Sequence, residues 1–364
     1  MSIMNRLKFA VPATALSLLF ACSSYAQYKR TDLVTDTGTA SNPADPSLVN
    51  GWGLVALPAT PFWVSDNGTG LSTLYTGDGT KVKQLTVTIP TANGSGQGTP
   101  TGVVGNITGS NFVVSVSTPS GTKSGSAFFI FSTLDGTISG WNPGVGGTNA
   151  TIAVPASATN GASYTGLAIA NNGGDPLLYA ADDGPNRKVD VFNSMFQPKT
   201  DLGPNAFVDP SVPKEFAPYG IQTVTDANGV ETVWVTYTGL NKAQSGFVSA
   251  FTTTGMLKSS VHVTGPLHSP WGIALAPPDF GPFSNALLVS NNIPRGRIDA
   301  FDPASGAYLG FLKDASGKAI EVDDIWAIQF GHDGGPNGAH NQLFFTAGPD
   351  NYGHGIFGVI DRQP

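Results

Sequence analysis

Carboxylates, amides and imidazoles recur in this chain within short Gly- and Asn-rich segments. Four of these are Asp66-Asn67-Gly68, Asp182-Asp183-Gly184, Asn291-Asn292 with Arg295, and Asp350-Asn351 through His354. Asn50, His268 and the pair Asp323-Asp324 stand just before short apolar runs. Oxygen donors of this kind, if they converge, hold a hard divalent cation such as calcium. A cation so held polarises a carbonyl or activates water. The same groups would equally line a glycan, peptide or small-molecule site. Singly, each also makes a turn, because Asp and Asn side chains bond local backbone and tolerate positive φ. Asp323-Asp324 is the only adjacent acid pair directly before an apolar run, so Asp324 is the first candidate metal ligand.

Other chemistries are excluded by residue type. Cys22 is the only cysteine, so the chain has neither an internal disulfide nor a thiolate metal site. No phosphate loop, dinucleotide fingerprint or metalloprotease motif occurs. Ser124-Gly125-Ser126 reads as a flexible loop, because no strand-to-helix turn follows to make a nucleophile elbow.

A repeat must position these segments. An aromatic residue or Thr, then Gly, then alternating aliphatics occurs as Trp52-Gly53-Leu54, Thr101-Gly102-Val103, Thr165-Gly166-Leu167, Tyr219-Gly220-Ile221 and Trp271-Gly272-Ile273. Trp326-Ala327-Ile328 is a sixth copy, and the spacings are 49, 64, 54, 52 and 55 residues. Each is followed by a second apolar strand: Phe62-Trp63-Val64, Phe112-Val113-Val114, Leu177-Leu178-Tyr179, Val233-Trp234-Val235, Leu287-Leu288-Val289 and Leu343-Phe344-Phe345. A third strand ends in an aromatic and a turn, as in Lys188 to Phe192 or Ala127 to Phe131, and a fourth follows, as in Lys83 to Ile89.

Four antiparallel strands repeated six times predict an all-β fold, a six-bladed β-propeller. Gly in the first strand fits crowding of inner strands around the channel. The sixth repeat ends after its third strand, Ile356 to Ile360, so Lys29 to Thr35 is expected to supply its fourth and close the ring. Residues 27–364 then form one domain. Up-and-down blades put the loops before strand one, and those joining strands two and three, on one face. All the candidate residues belong to that face. His332-Asp333 and His340 fall in a loop on the opposite face and read as surface.

Several motifs carry a resemblance. Asn50-Gly51-Trp52-Gly53-Leu54, Asp135 to Pro143, Ser269 to Pro277, Gly296 to Pro303 and Phe345-Thr346-Ala347-Gly348-Pro349 resemble an uncharacterised family of exported bacterial proteins with NHL-like propeller repeats. The resemblance spans nearly all of the chain after residue 26. It implies a propeller and export, and carries no activity.

Residues 1–26 fit an export signal: Arg6 and Lys8, an apolar run from Phe9 to Ala21, and small residues closing at Ser24-Tyr25-Ala26. Cleavage there leaves a soluble periplasmic or extracellular protein. Leu19-Phe20-Ala21-Cys22 is the alternative, a lipobox that would lipidate Cys22. Loss of Arg6 and Lys8 leaves 16 of the 18 basic side chains against 25 acidic ones, a net charge of −9. That argues against nucleic acid as a partner. The run is too short for a membrane span.

Two functions fit. One is a binding module that uses the polar loop face. The other is a metal-dependent hydrolase or lyase, by fold-level analogy to six-bladed lactonases. Asn50 and Asp324 suit the enzyme, whereas Thr101, Thr165 and Tyr219 in the corresponding places do not.

Overall fold

The computed structural model describes residues 27–38, 44–94, 96–239, 245–261 and 266–363. The candidate export signal and Cys22 lie outside the described residues. Short runs rich in Val, Ile, Thr and aromatics, broken by Gly, Asn and Asp turns, pair with their neighbours as antiparallel sheets. Six such sheets form a ring, each inner strand touching those of the two adjacent sheets, and the last touching the first.

Blade one contains Gly51–Val55, Phe62–Asp66, Leu71–Tyr75 and Val87–Thr88. Blade two contains Pro100–Gly105, Phe129–Thr133, Ile138–Trp141 and Thr151–Val154. Blade three has three strands, Tyr164–Ala170, Leu177–Asp182 and Lys188–Phe192. Blade four contains Phe216–Thr225, Glu231–Gly239, Gly246–Phe251 and Leu257–Val261. Blade five contains Pro270–Leu275, Leu287–Asn291, Ile298–Phe301 and Tyr308–Phe311. Blade six contains Ile325–Phe330, Leu343–Ala347 and Ile356–Arg362, and its outermost strand is Tyr28–Thr35. Tyr28 pairs with Arg362 and Thr35 with Ile356, so the ends of the chain close the ring as expected.

The core is distributed between blades. Six buried clusters occupy the six seams, one per pair of neighbouring blades. Strand periodicity explains this division: alternate side chains point to opposite faces. In Leu287-Leu288-Val289, Leu288 enters the seam with blade six, while Leu287 and Val289 enter the seam with blade four. Second strands are buried on both faces, which is why they read as continuous apolar runs.

Every first strand carries the same irregularity. Pairing with the second strand breaks register between Gly51 and Leu54, Pro100 and Val103, Tyr164 and Gly166, Pro218 and Ile221, Pro270 and Ile273, and Ile325 and Ile328. Each break falls on the aromatic-or-Thr plus Gly pair of the repeat, or on Trp326-Ala327 in blade six. A bulge re-aims side chains, and here it turns them across the channel. The Gly is required by crowding: a Cβ on Gly220 would collide with the carbonyl oxygen of Trp271, and one on Gly102 with the amide nitrogen of Leu167.

Five expectations need correction. Phe112-Val113-Val114 does not provide the second strand of blade two. Val113–Thr118 pairs with Gly121–Ser126 as a separate hairpin, so Ser124-Gly125-Ser126 lies in a strand and not in a loop. The hairpin is inserted before the true second strand Phe129–Thr133, so the run from Ala127 to Phe131 belongs to the second strand of blade two and not the third, which is Ile138–Trp141. The 64-residue spacing was the trace of that insertion. Blade three lacks a fourth strand among the described residues. Pro198 makes a single bridge to Phe192, and the chain then leaves the sheet through Gly203-Pro204. Asn193 N donates to Gln197 O and Lys199 N to Val191 O on either side of that bridge, and no ladder bond follows among the described residues. The fourth strand of blade one is also shorter than Lys83 to Ile89, with only Val87–Thr88 in the ladder.

Candidate functional site

The loops before strand one and those between strands two and three are laced together at one end of the channel. Asn67 N donates to Asn50 O, Asp183 N to Ser163 O, and Asn292 N to Ser269 O, all within 3.0–3.2 Å. Asp324 N donates to Ile293 O and Gly348 N to Asp324 O, which ties blade five to blade six. One polar face results, as the topology requires.

Its centre is aromatic. Trp52 and Trp326 stack with centroids 3.6 Å apart, and Trp271 stands edge-on to Trp326 at 5.9 Å. Tyr219 reaches Trp326 from blade four at 5.8 Å, and Tyr352 lies over it at 5.5 Å. Trp271 Nε1 donates to Thr165 O at 3.0 Å, joining blades five and three across the ring. These rings fill the channel mouth. Below them the channel narrows to about 20 Å³, room for roughly one water. The face therefore has an aromatic floor.

Backbone strain marks the blades that supply tryptophan. Asn50, Ser269 and Asp324 each stand two residues before one of Trp52, Trp271 and Trp326, and all three are left-handed, with φ of 49°, 46° and 50°. Asp350, Asn351 and Tyr352 are consecutively left-handed, which carries Tyr352 over the rings. Non-Gly residues in this region cost energy and cluster at functional positions.

Part of the sequence-derived set meets at this centre. Trp326 Nε1 donates to Asn50 Oδ1 at 2.8 Å, and Asn50 Nδ2 to Asn67 Oδ1 at 3.1 Å. Asn292 Oδ1 accepts from both Tyr219 and Tyr352 hydroxyls, at 3.3 and 3.1 Å. Burial pushes the Tyr219 phenol well above its ordinary value, and Tyr352, Asp183 and Asp324 add to the shift. Burial, with Asp324 adding, pushes Tyr352 up to about 12. Both phenols stay neutral donors; Asp324 lies within electrostatic reach of both and Asp183 of Tyr219.

The remaining residues are built into the blades or face outward. Asp66 is fully buried and accepts from Thr73; burial pushes its carboxyl well above the usual carboxylate range. Asp182 Oδ1 accepts from the backbone of Ser163 and Gly184, both at 2.8 Å. Asn291 Oδ1 accepts from His268 N, and Asn291 Nδ2 donates to Asp299. Asp323 Oδ1 accepts from Arg295 N, and the Arg295 guanidinium pairs with Glu321 at 2.8 Å. His354 Nδ1 meets Asp36 Oδ2 at 2.7 Å, with Asp350 3.8 Å from its other nitrogen. Asp350 and Asn351 are exposed. Among the described residues, no three His, Asp or Glu side chains are placed to share a metal ion. The amides converge on the aromatic floor.

Sequence reasoning missed Tyr352 as a site residue and treated the Trp and Tyr of the repeat as spacing marks. The signal was present: an aromatic at a bulge beside the channel points inward.

No family model matches the chain. Two proteins of Acanthamoeba polyphaga mimivirus, both described as uncharacterised, are similar to it. One is 29% identical over 348 residues, covering 91% of this chain and 79% of the relative. The other is 28% identical over 352 residues, covering 93% and 87%. Among solved structures, the soluble aldose sugar dehydrogenase of Escherichia coli has a TM-score of 0.53 at 13% identity, covering 93% of this chain and all of that one. Virginiamycin B lyase of Staphylococcus aureus has a TM-score of 0.50 at 11% identity, covering 92% and 99%. A glucose dehydrogenase has a TM-score of 0.50 at 14% identity with the same coverage. The likeness is one of fold. The chain is a six-bladed propeller of the kind seen in virginiamycin B lyase. These sequence relatives are viral, so they lend no support to a bacterial, exported family. Among the described residues no helix is long and apolar enough to cross a membrane.

Proposed function

We propose that the chain is a binding module that takes a small molecule, glycan or protein segment on the polar loop face, above the aromatic floor. One observation carries this reading: Tyr352 lies over Trp326 and shares the Asn292 amide oxygen with Tyr219, at the mouth of a channel filled by rings, with Asp183 and Asp324 within electrostatic reach of Tyr219. Aromatic faces with a few fixed polar groups are what binding sites are made of. Export directed by residues 1–26, ending in release or in lipidation at Cys22, would place the module in the periplasm or outside the cell. Intact mass of the protein recovered from cell fractions tests that part.

The alternative hydrolase or lyase would need a divalent cation held near Asp324. The side chains meant to hold it are mostly engaged with backbone or with one another, so the binding reading is favoured. The test is a thermal-shift screen with glycans, lactones and esters, with and without chelator. A ligand that raises the melting temperature should bind about tenfold more weakly to Tyr352→Ala. Binding unaffected by both Tyr352→Ala and Asp324→Ala would place the site elsewhere. Turnover that stops with chelator and with Asp324→Ala would establish the enzyme instead.

A further inference from the structure

The loop from Gly348 to Gly355, which carries Tyr352 over Trp326, is fastened to the start of the chain. Asp36 stands directly after the closing strand and grips this loop three times. Its Oδ2 meets His354 Nδ1 at 2.7 Å, and its Oδ1 accepts from Gly355 N at 3.1 Å. Asp36 N donates to Gly355 O at 3.3 Å.

The clamp leads directly to the aromatic floor. His354 O accepts from Asn50 N at 2.9 Å, and Asn50 Oδ1 accepts from Trp326 Nε1 at 2.8 Å. Within the loop, His354 N donates to Pro349 O at 3.1 Å and Tyr352 N to Gly348 O at 2.9 Å. These bonds enclose the three left-handed residues Asp350, Asn351 and Tyr352. Backbone in that region persists only with support from its surroundings. Asp36 gives that support from 318 residues earlier in the chain.

The link at His354 titrates near neutrality. An imidazole changes charge near pH 6.5, and a carboxylate in contact moves the change upward. Two carboxylates act on this ring in that direction: Asp36 from the closing segment, and Asp350 from its own loop, 3.8 Å from Nε2. In the loop before blade one, Asp45 is engaged by Lys81 at 2.7 Å and by the Tyr75 hydroxyl at 2.6 Å. In blade six, Asp324 O accepts from Gly348 N, and the Asp324 carboxylate acts on Tyr352. His354 is half-exposed, so it exchanges its proton with solvent. An imidazolium holds a carboxylate more strongly than a neutral ring does.

We propose that His354 and Asp36 form a pH-sensitive clamp on the channel mouth, which sets Tyr352 over Trp326 at acidic pH and loosens as the imidazole loses its proton. The inference rests on the channel-mouth reading and adds its regulation. Asp36 and His354 are positioning residues that act through Tyr352, Asn50 and Trp326.

The test follows the Trp326 and Trp271 indole N–H signals and the His354 ring signal by NMR as pH is raised. The Trp326 signal should track the His354 titration, with a midpoint above about 6.5. Trp271, tied to Thr165 O, should stay fixed. Amide exchange at Gly355, corrected for its intrinsic pH dependence, should quicken about fivefold across the same midpoint. Asp36→Asn keeps an acceptor for Gly355 N and should bring the midpoint down toward about 6.5. His354→Gln should abolish both responses. A Trp326 signal that ignores pH, keeps its midpoint in Asp36→Asn or moves equally in His354→Gln would overturn the proposal. None of these measurements needs a ligand. The clamp can therefore fail while the channel mouth still binds, and a failed ligand screen leaves the clamp standing.

Discussion

In blade six the fourth strand arrives from the opposite end of the chain; in blade three the local chain turns away after Pro198. The two edges differ in what depends on them. Tyr28–Thr35 buries Tyr28, Leu33 and Val34 in the seams on either side of blade six, and Tyr28 donates its hydroxyl to Phe280 O at 2.9 Å. Blade three keeps full cores on both faces with three strands, because Leu178 and Ala180 fill one seam and Leu177, Tyr179 and Ala181 the other. An outer strand is therefore dispensable where inner strands already secure both seams. Where the ends of the chain meet, its ladder hydrogen bonds and buried side chains hold the start of the chain to the last blade.

Removing residues 28–35 should have the largest effect. Three large buried side chains at about 1.5–3 kcal/mol each set a loss of roughly 5–9 kcal/mol, enough to unfold many domains. Urea unfolding followed by tryptophan fluorescence would read it, and a loss below about 2 kcal/mol would make the two edges equivalent. Tyr28→Ala should cost about 3–5 kcal/mol in the same assay, and Tyr28→Phe only about 1 kcal/mol for the lost hydrogen bond.

A titrating contact stands directly after the closing strand. The hydrogen bond that the His354 imidazole makes to the Asp36 carboxylate holds it above its ordinary pKa. A raised histidine stabilises the folded state fully below its unfolded pKa of about 6.5, and that contribution fades as pH rises through the folded value. Stability should thus fall as pH rises above about 6.5, and Asp36→Asn should flatten that slope. An unchanged slope would remove this contact from the closure. The smallest effect belongs to the open edge: Lys188→Glu should shift stability by no more than about 0.5 kcal/mol. A larger loss would mean that blade three relies on its rim as blade six does.

Much of the architecture was legible because a propeller repeats its chemistry. The Gly beside the channel, the continuous apolar second strand and the terminal turn recur with similar spacing, so six blades and the closing strand could be counted. The inserted hairpin was not legible, since Phe112-Val113-Val114 has the pattern of any second strand, and only the competition with Phe129–Thr133 for Pro100–Gly105 excludes it. The candidate site was half legible. Asn50, Asn67 and Asn292 do reach the channel mouth, but Asp66 and Asp182 turn into their own blades, and sequence alone does not reveal a side chain's direction at a strand end.

For the polar loops, the residue types and their common face followed from sequence and topology. Which of them converge depended on six bulges and three left-handed residues before tryptophans, features of chain crossing and packing that no local pattern encodes. The sequence also determined the number of blades, because apolar periodicity and turn chemistry are local. Only the tertiary structure decided that rings fill the channel, that the amides serve those rings, and that blade three lacks its outer strand. Each of those outcomes depends on residues far apart in sequence competing for the same space.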